Sequence, residues 1–341
     1  MNTGILPDGA VLGEFSALPP LWGLIGAAVW GLLWGSFLNV VIHRVPRGLS
    51  VVRPGSHCPG CGHPVRAWDN VPVFSWLLLR GRCRDCRWPI PARYPLVEAL
   101  TGLLSLALYA RFVVQGPDAP WVANLAAYLV FFAFAAALVA VIFIDLDHQI
   151  IPDGITYGGM LAGLLVSFLL PDVAPWESLL GLVAGGAAIG LLILVYSWLR
   201  GIQGMGLGDL KLLAMIGAWL GYRSLLFVLL VGSLLGLGAA AALGLRRRLT
   251  GQSEHLYDPA LLQEDAADEP ATDDEPPSPE LPGQPPPPAA PAPAALPLHR
   301  TAIAFGPYLA TAAILYLLAG EQLSAWYFDL LGRVAGTLLG G

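Results

Sequence analysis

Two sets of residues in this chain have the types and spacing to do chemistry. The first is acidic. Asp145 directly follows the apolar run Leu138 to Ile144, with Asp147 two residues on and Asp153 just past Pro152. Asp209 closes a run of alternate glycines, Gly204, Gly206 and Gly208, and opens another apolar stretch. Ionisable side chains in or beside membrane-crossing segments are costly, so each is a candidate functional group by default. Where two carboxyl groups share one proton, the ionised one takes a proton from water while the other donates to a carbonyl oxygen, as in an aspartic protease dyad. Asp145 and Asp209 are the candidates for such a pair. Two other readings stand beside it: a coupled proton or cation site in a transporter, and purely structural roles in which each acid caps a helix or pairs with Arg200. Asp153 is placed to cap the helix that follows Pro152. Lys211, the only lysine in the chain, stands two residues after Asp209 and cannot share its helical face. It is expected to anchor the helix at the membrane boundary rather than to pair with Asp209.

The second set is sulfur. Cys58 and Cys61 form one C-x-x-C pair and Cys83 and Cys86 another, with 21 residues between Cys61 and Cys83. A two-residue spacer turns both thiolates of a knuckle toward one ion, and two knuckles complete a tetrahedral four-sulfur site of the zinc-ribbon kind. Two disulfides or a redox pair are the competing readings. Both lose support if the loop is cytoplasmic, where thiols stay reduced, and no βαβ pattern surrounds either pair. His57 and His63 flank the first knuckle, but four cysteines already close a structural site, which leaves the metal no open position for hydrolysis.

The elements that must position these groups are helices in a membrane. Of the 341 residues 56% are hydrophobic and 12% charged, and mean hydropathy is +0.64. Soluble chains carry about twice that charged fraction, so the composition excludes a water-soluble globule, and four cysteines are too few for a secreted disulfide scaffold. Apolar runs that can cross a hydrocarbon core recur, and the pattern predicts helices near 21–42, 95–114, 122–144, 155–170, 178–199, 209–221, 224–245 and 302–319. The fold class expected is therefore an all-α polytopic membrane protein of about eight transmembrane helices with a small cytoplasmic zinc-binding loop domain. A further run at 322–340 holds Trp326, Tyr327, Asp329 and Arg333 and suits an interfacial helix. The first helix follows an acidic start with no basic stretch and no cleavage site, and is expected to be retained.

Basic residues set the orientation. Nine arginines from Arg44 to Arg93 stand against only Asp69 and Asp85 between the first two helices, which predicts a cytoplasmic loop. Alternation then places 145–154, 200–208 and 246–301 on the same side, in agreement with Arg200 and the run Arg246 to Arg248. That topology explains the arginines without nucleic acid. The formal charge of −6 is misleading, because ten acids between residues 251 and 300 face only Arg300. Thirteen prolines share that segment, with Pro285 to Pro288 consecutive. It is expected to be a disordered, partly polyproline II linker. The resulting divisions are 1–42, an N-terminal segment and first helix; 43–94, the zinc loop; 95–249, a transmembrane core; 250–300, the linker; and 301–341, a last span with an amphipathic end.

In order along the chain, Gly35 to Pro46 (with Asn39 and Arg44), the cysteine tetrad, Arg93 to Glu98, Ile144 to Asp153, Gly204 to Leu213 and Ala304 to Ala310 resemble the motifs of the type IV prepilin peptidases, also called bifunctional leader peptidase/N-methyltransferases. The resemblance covers nearly the whole chain apart from 251–298 and the C-terminal run. It implies an aspartic membrane endopeptidase that removes the leader of type IV prepilins and type II secretion pseudopilins on the cytoplasmic face of the bacterial inner membrane. It assigns Asp145 and Asp209 as catalytic, and Gly206, Gly208, Lys211, Asp147 and Asp153 as supporting motif residues. It also implies N-methylation of the new N-terminal residue with S-adenosylmethionine as donor, an activity associated with the zinc loop, and contact with pilus or secretion assembly machinery. No glycine-rich fingerprint follows a strand in that loop, so the residues assign no donor site. Asn39 and Glu98 are candidates for methyl-transfer support, with structural pairing in the membrane as the alternative. Gly31 and Gly35 read as a helix-packing pair. Besides transport, a peptidase lacking methyltransferase activity remains an alternative. The acidic proline-rich segment before the last helix departs from the family's usual short loop.

Overall fold

The computed structural model of this chain describes residues 20–116, 119–170, 173–200, 206–250, 304–320 and 333. The expected linker at 251–300, nearly all of the run at 322–340, Gly204 and the Arg200 side chain lie outside the described residues. Among those described, all regular structure is helical, apart from two isolated bridges in the cysteine loop. In chain order the helices are α1 (Pro20–Arg44), α2 (Phe74–Leu78), α3 (Arg93–Tyr109), α4 (Trp121–His148), α5 (Asp153–Val166), α6 (Pro175–Arg200), α7 (Leu207–Leu220), α8 (Arg223–Thr250) and α9 (Gly306–Gly320). A π-helical turn, Ala110–Val114, continues α3. Five of them (α1, α3 with its π turn, α4, α6 and α8) are long and apolar enough to cross a membrane. The 14-residue α5 and α7 and the 15-residue α9 are shorter than the roughly 20 residues a full hydrocarbon core requires.

The chain divides into two units. One comprises residues 1–236 and 304–341; the other, 237–303, is described only over 237–250, the last turns of α8. The core of the first unit is built on α4 and α7. Two thirds of the apolar window of α4 is buried, and Leu138, Val139, Val141 and Ile144 have no exposure. In α7 every residue from Leu212 to Leu220 is buried. Phe134 of α4 stacks on Trp219 of α7 with centroids 4.6 Å apart, and Phe131 stacks on Phe112 at 4.9 Å. Small residues let the remaining helices close in. A Cβ on Gly31 would come within 2.4 Å of Ser105, and one on Gly35 within 2.6 Å of the Glu98 Cα, so α1 packs on α3 backbone to backbone. Gly181 of α6 meets Gly217 of α7 in the same way.

The consequence for function is positional. Asp145 lies in the last turn of α4 and Asp209 in the first turn of α7, so the two most deeply packed helices carry the two singled-out acids. The helix bearing Asp145 runs on to His148, four residues past the apolar run; it ends where Gln149 turns left-handed (φ 53°) and its amide bonds to the Asp145 carbonyl. Pro152 therefore starts the next helix rather than ending this one.

Candidate functional site

Four acids sit at these helix ends, and their partners divide them. Asp147 forms an ion pair with Arg93, whose guanidinium also lies over the Phe143 ring at 5.2 Å and reaches the Phe143 carbonyl. Asp153 pairs with Lys211 at 2.6 Å, and the Lys211 ammonium lies 5.2 Å from the Tyr157 ring centre. The expectation that Asp153 caps α5 is corrected here. It is the first helical residue, Pro152 holds the capping position, and no side chain caps that end. Lys211 does not pair with Asp209, as the two-residue spacing requires; its partner is an acid 58 positions away.

Asp145 and Asp209 are different. Asp145 is 4% exposed and Asp209 9%, and among the described residues neither has a cationic partner. The two carboxylates lie within electrostatic reach of each other. Asp145 accepts a hydrogen bond from the amide of Gly306, the first residue of α9, where the helix end presents its partial positive charge. The contact is close: a Cβ on Gly306 would stand 2.4 Å from the Asp145 Oδ2 and 2.9 Å from Ile151. Ile151 also lies 3.3 Å from where a Cβ on Gly208 would stand. Gly208 and Gly306 thus flank Ile151 and bring the start of α7 and the start of α9 to the end of α4. Gly206 holds the position before α7 in extended conformation. Sequence reasoning did not single out Gly306; the available signal was a Gly-Pro pair opening an apolar run, the pattern of a helix start.

The cysteine loop forms a second centre. The four sulfurs of Cys58, Cys61, Cys83 and Cys86 all lie within 4.8 Å of one another, with Cys58 and Cys86 at 3.6 Å, and none is in a disulfide. The two knuckles repeat each other. The Cys58 amide donates to the His63 carbonyl and Cys83 to Trp88; Gly62 donates back to Cys58 and Arg87 to Cys83. Gly62 and Arg87 hold matching left-handed positions, φ 69° and 64°. Amides of Cys86 and Asp85 draw the Cys83 thiol down to about 7. At Cys86 the Trp88 amide acts in the same direction, but burial and the three neighbouring sulfurs outweigh it and push the thiol up to about 12. This cluster can hold a metal ion: tetrahedral sulfur ligands at about 2.3 Å from an ion stand about 3.8 Å from one another, close to the spacing present.

Loop and membrane helices meet at Glu98. Its carboxylate, 8% exposed, accepts the Val73 amide at 2.7 Å and is bonded by the Ser36 hydroxyl of α1. Asn39 donates to the Tyr94 carbonyl at 3.1 Å. Both residues therefore tie α1, α3 and the loop together. Asp69, 10% exposed at its side chain, is bonded through both oxygens to Arg84, which holds its carboxyl below the usual range. Arg66 pairs with Asp85 at 3.1 Å.

Residues 29–112 match the bacterial peptidase A24 N-terminal domain, and residues 132–241 match the type IV leader peptidase family. Among curated proteins the chain is similar to the "Prepilin leader peptidase/N-methyltransferase" of Myxococcus xanthus (strain DK1622), 40% identical over 91% of this chain and 95% of that protein. It is also similar to proteins of the same name from Burkholderia pseudomallei (strain 1026b), 37% identical over 75% of this chain and 88% of the relative, and from Aeromonas hydrophila, 36% identical over 88% and 91%. No solved structure matches the chain.

Proposed function

This chain belongs to the type IV leader peptidase family, and we propose that it is a multi-pass membrane endopeptidase whose catalytic pair is Asp145 and Asp209. The substrates are prepilins or pseudopilins, the class named by its relatives, and the same protein methylates the new N-terminal residue with S-adenosylmethionine as donor. The observation that carries the assignment of the pair is the sorting of the four acids. Asp147 and Asp153 are neutralised by Arg93 and Lys211, while Asp145 and Asp209 are buried, near each other and without a cation among the described residues.

Two such carboxyl groups resist being ionised together, so one keeps a proton. The ionised member takes a proton from a water, the protonated member donates to the scissile carbonyl oxygen, and the water oxygen bonds to carbon to give a gem-diol. This collapses as the C–N bond breaks, the newly protonated carboxyl gives its proton to the leaving amine, and a gem-diol hydroxyl returns a proton to the other carboxylate. The Gly306 amide holds one Asp145 oxygen, which fixes the carboxylate's orientation as water attacks. Eight helices span or enter the bilayer in this reading, with the loop 43–94 on the cytoplasmic side of the inner membrane, as the arginines between Arg44 and Arg93 require. The four cysteines hold a structural zinc ion, for which their number and spacing fit. When bound, that ion crosslinks the two knuckles. Gly206 and Gly208 allow close approach before Asp209. The acidic proline-rich segment 251–300 acts as a linker to the last span.

The test is mass spectrometry of a prepilin incubated with the protein in lipid and S-adenosylmethionine. A mature product carrying a one-methyl increment at its new N-terminus is expected. A cleaved but unmethylated product would remove the second activity, and an intact prepilin together with pH-driven ion flux in vesicles would favour the transporter reading.

A further inference from the structure

The cysteine loop carries an apolar face outside the spans. In α2 the side chains of Phe74, Leu77 and Leu78 are 62%, 58% and 83% exposed, at the i, i+3, i+4 spacing of one helical face. Trp76 points the other way: its indole nitrogen donates to the Ile90 carbonyl at 3.0 Å, and its ring packs where a Cβ on Gly81 would lie. The adjoining turn Ala67–Asn70 adds Trp68, 66% exposed. Exposed apolar clusters of this kind mark a contact surface.

Two observations identify what covers it. The first is depth. The Val73 amide that opens α2 is bonded to Glu98, a residue more than one turn inside the apolar helix α3 and packed against Gly35 of α1. Leu96, on the same turn of α3, is 58% exposed, as a lipid-facing side chain would be. Val73 adopts φ 63°, a conformation that β-branched residues rarely take, so this junction is held against local strain. Helix α2 is thus fastened to the first turns of the candidate span α3. The second is charge. Arg80 and Arg82 directly follow α2 and are exposed, and among the described residues neither pairs with a carboxylate; the loop's two acids, Asp69 and Asp85, are taken by Arg84 and Arg66.

We propose that Phe74, Leu77, Leu78 and Trp68 insert into the boundary of an anionic phospholipid bilayer, with Arg80 and Arg82 on its headgroups, so that the cysteine loop lies along the membrane surface. Apolar and aromatic side chains flanked by arginine are the composition of interfacial membrane contacts. A loop held flat in this way presents its knuckles beside the membrane exit of α3 rather than in the aqueous phase. The inference goes beyond the enzymatic reading and rests only on the multi-pass membrane part of it.

The test places the photoreactive residue p-benzoylphenylalanine at Leu78 in the full chain, reconstituted in phosphatidylglycerol-containing vesicles, with Val52 and Leu194 as comparison sites. Val52 is 76% exposed in the loop segment between α1 and the first knuckle, and Leu194 is 67% exposed on the span α6. Several-fold more lipid adduct at position 78 than at 52, approaching that at 194, is expected. Adducts at 194 with none above the position-52 level at 78 would overturn the proposal while leaving the membrane reading intact. Crosslinking of position 78 to added prepilin or to a second copy of the chain in place of lipid would overturn it equally. Absence of lipid adducts at 194 as well would overturn both. Prepilin cleavage and metal content measured on each variant show that it is folded.

Discussion

At the scale of single residues, ion pairing separates acids that look alike in the sequence. Asp145, Asp147 and Asp153 fall within nine positions, and local spacing cannot tell which of them is neutralised. Arg93 and Lys211 lie 54 and 58 positions from the acids they hold, beyond anything helical periodicity encodes. What the sequence did make legible was Lys211's inability to reach Asp209, because residues two apart point to different faces. The left-handed residue Arg87 yields a prediction of its own. Its conformation costs a non-glycine residue about 1–2 kcal/mol, against about 0.5–1 kcal/mol of chain entropy for glycine. Arg87→Gly, which copies Gly62 in the sister knuckle, is expected to strengthen the loop by up to about 1 kcal/mol, read as slower metal loss to a chelator. Asp69 supplies a pH prediction. Its carboxyl is depressed in the folded loop by Arg84, so its stabilising contribution is full above the ordinary carboxyl pKa of about 3.9 and disappears as pH falls through the lower folded value. Asp69→Asn should therefore make the loop easier to proteolyse at pH 7, and the difference from wild type should vanish in strong acid.

At the scale of elements, all eight expected segments are helices, because runs of this apolar content have one way to satisfy their backbone in lipid. Their ends were less legible. An apolar run that stops at Ile144 suggests a helix ending there, yet α4 carries three more polar residues with it, since a carboxylate at a helix end need not break backbone hydrogen bonds. Helix α2 escaped notice because five residues are too few to establish a period. The short α5, α7 and α9 depend on their neighbours more than the long spans do, and the closest approach is between α6 and α7. A Cβ on Gly217 would lie 2.1 Å from the Gly181 carbonyl oxygen, and one on Gly185 2.5 Å from that of Leu213. Gly217→Ala is expected to cost about 1–3 kcal/mol by forcing the two backbones apart. The measurement is a lowered thermal midpoint in detergent. Because α7 opens with Asp209, peptidase activity should fall with it, whereas Gly26→Ala, whose Cβ meets nothing within 4 Å, should leave both unchanged.

At the scale of the whole molecule, one half brings a sulfur cluster to a loop between two spans, and the other brings two carboxyl groups with no cationic partner among the described residues to where three helices begin or end. These centres use different kinds of cohesion. The loop has few buried apolar side chains, with Cys58 and Pro72 among them, and depends on its knuckles, its ion pairs and the metal ion we propose for its four cysteines. The helical core depends on α4 and α7. Stripping the metal with a strong chelator is therefore expected to expose residues 43–94 to proteolysis while the helix content of the spans, followed by circular dichroism, stays near its starting value. The sorting of the acids is tested by the rate of prepilin cleavage in Asp145→Asn, Asp209→Asn, Asp147→Asn and Asp153→Asn, each purified and checked for the same thermal midpoint. With Asp145 and Asp209 as the catalytic pair, the first two lose about a hundredfold or more, the scale of positioned acid–base catalysis, and the two cation-paired acids lose far less. Equal losses in all four, or full activity in either Asp145→Asn or Asp209→Asn, would contradict it.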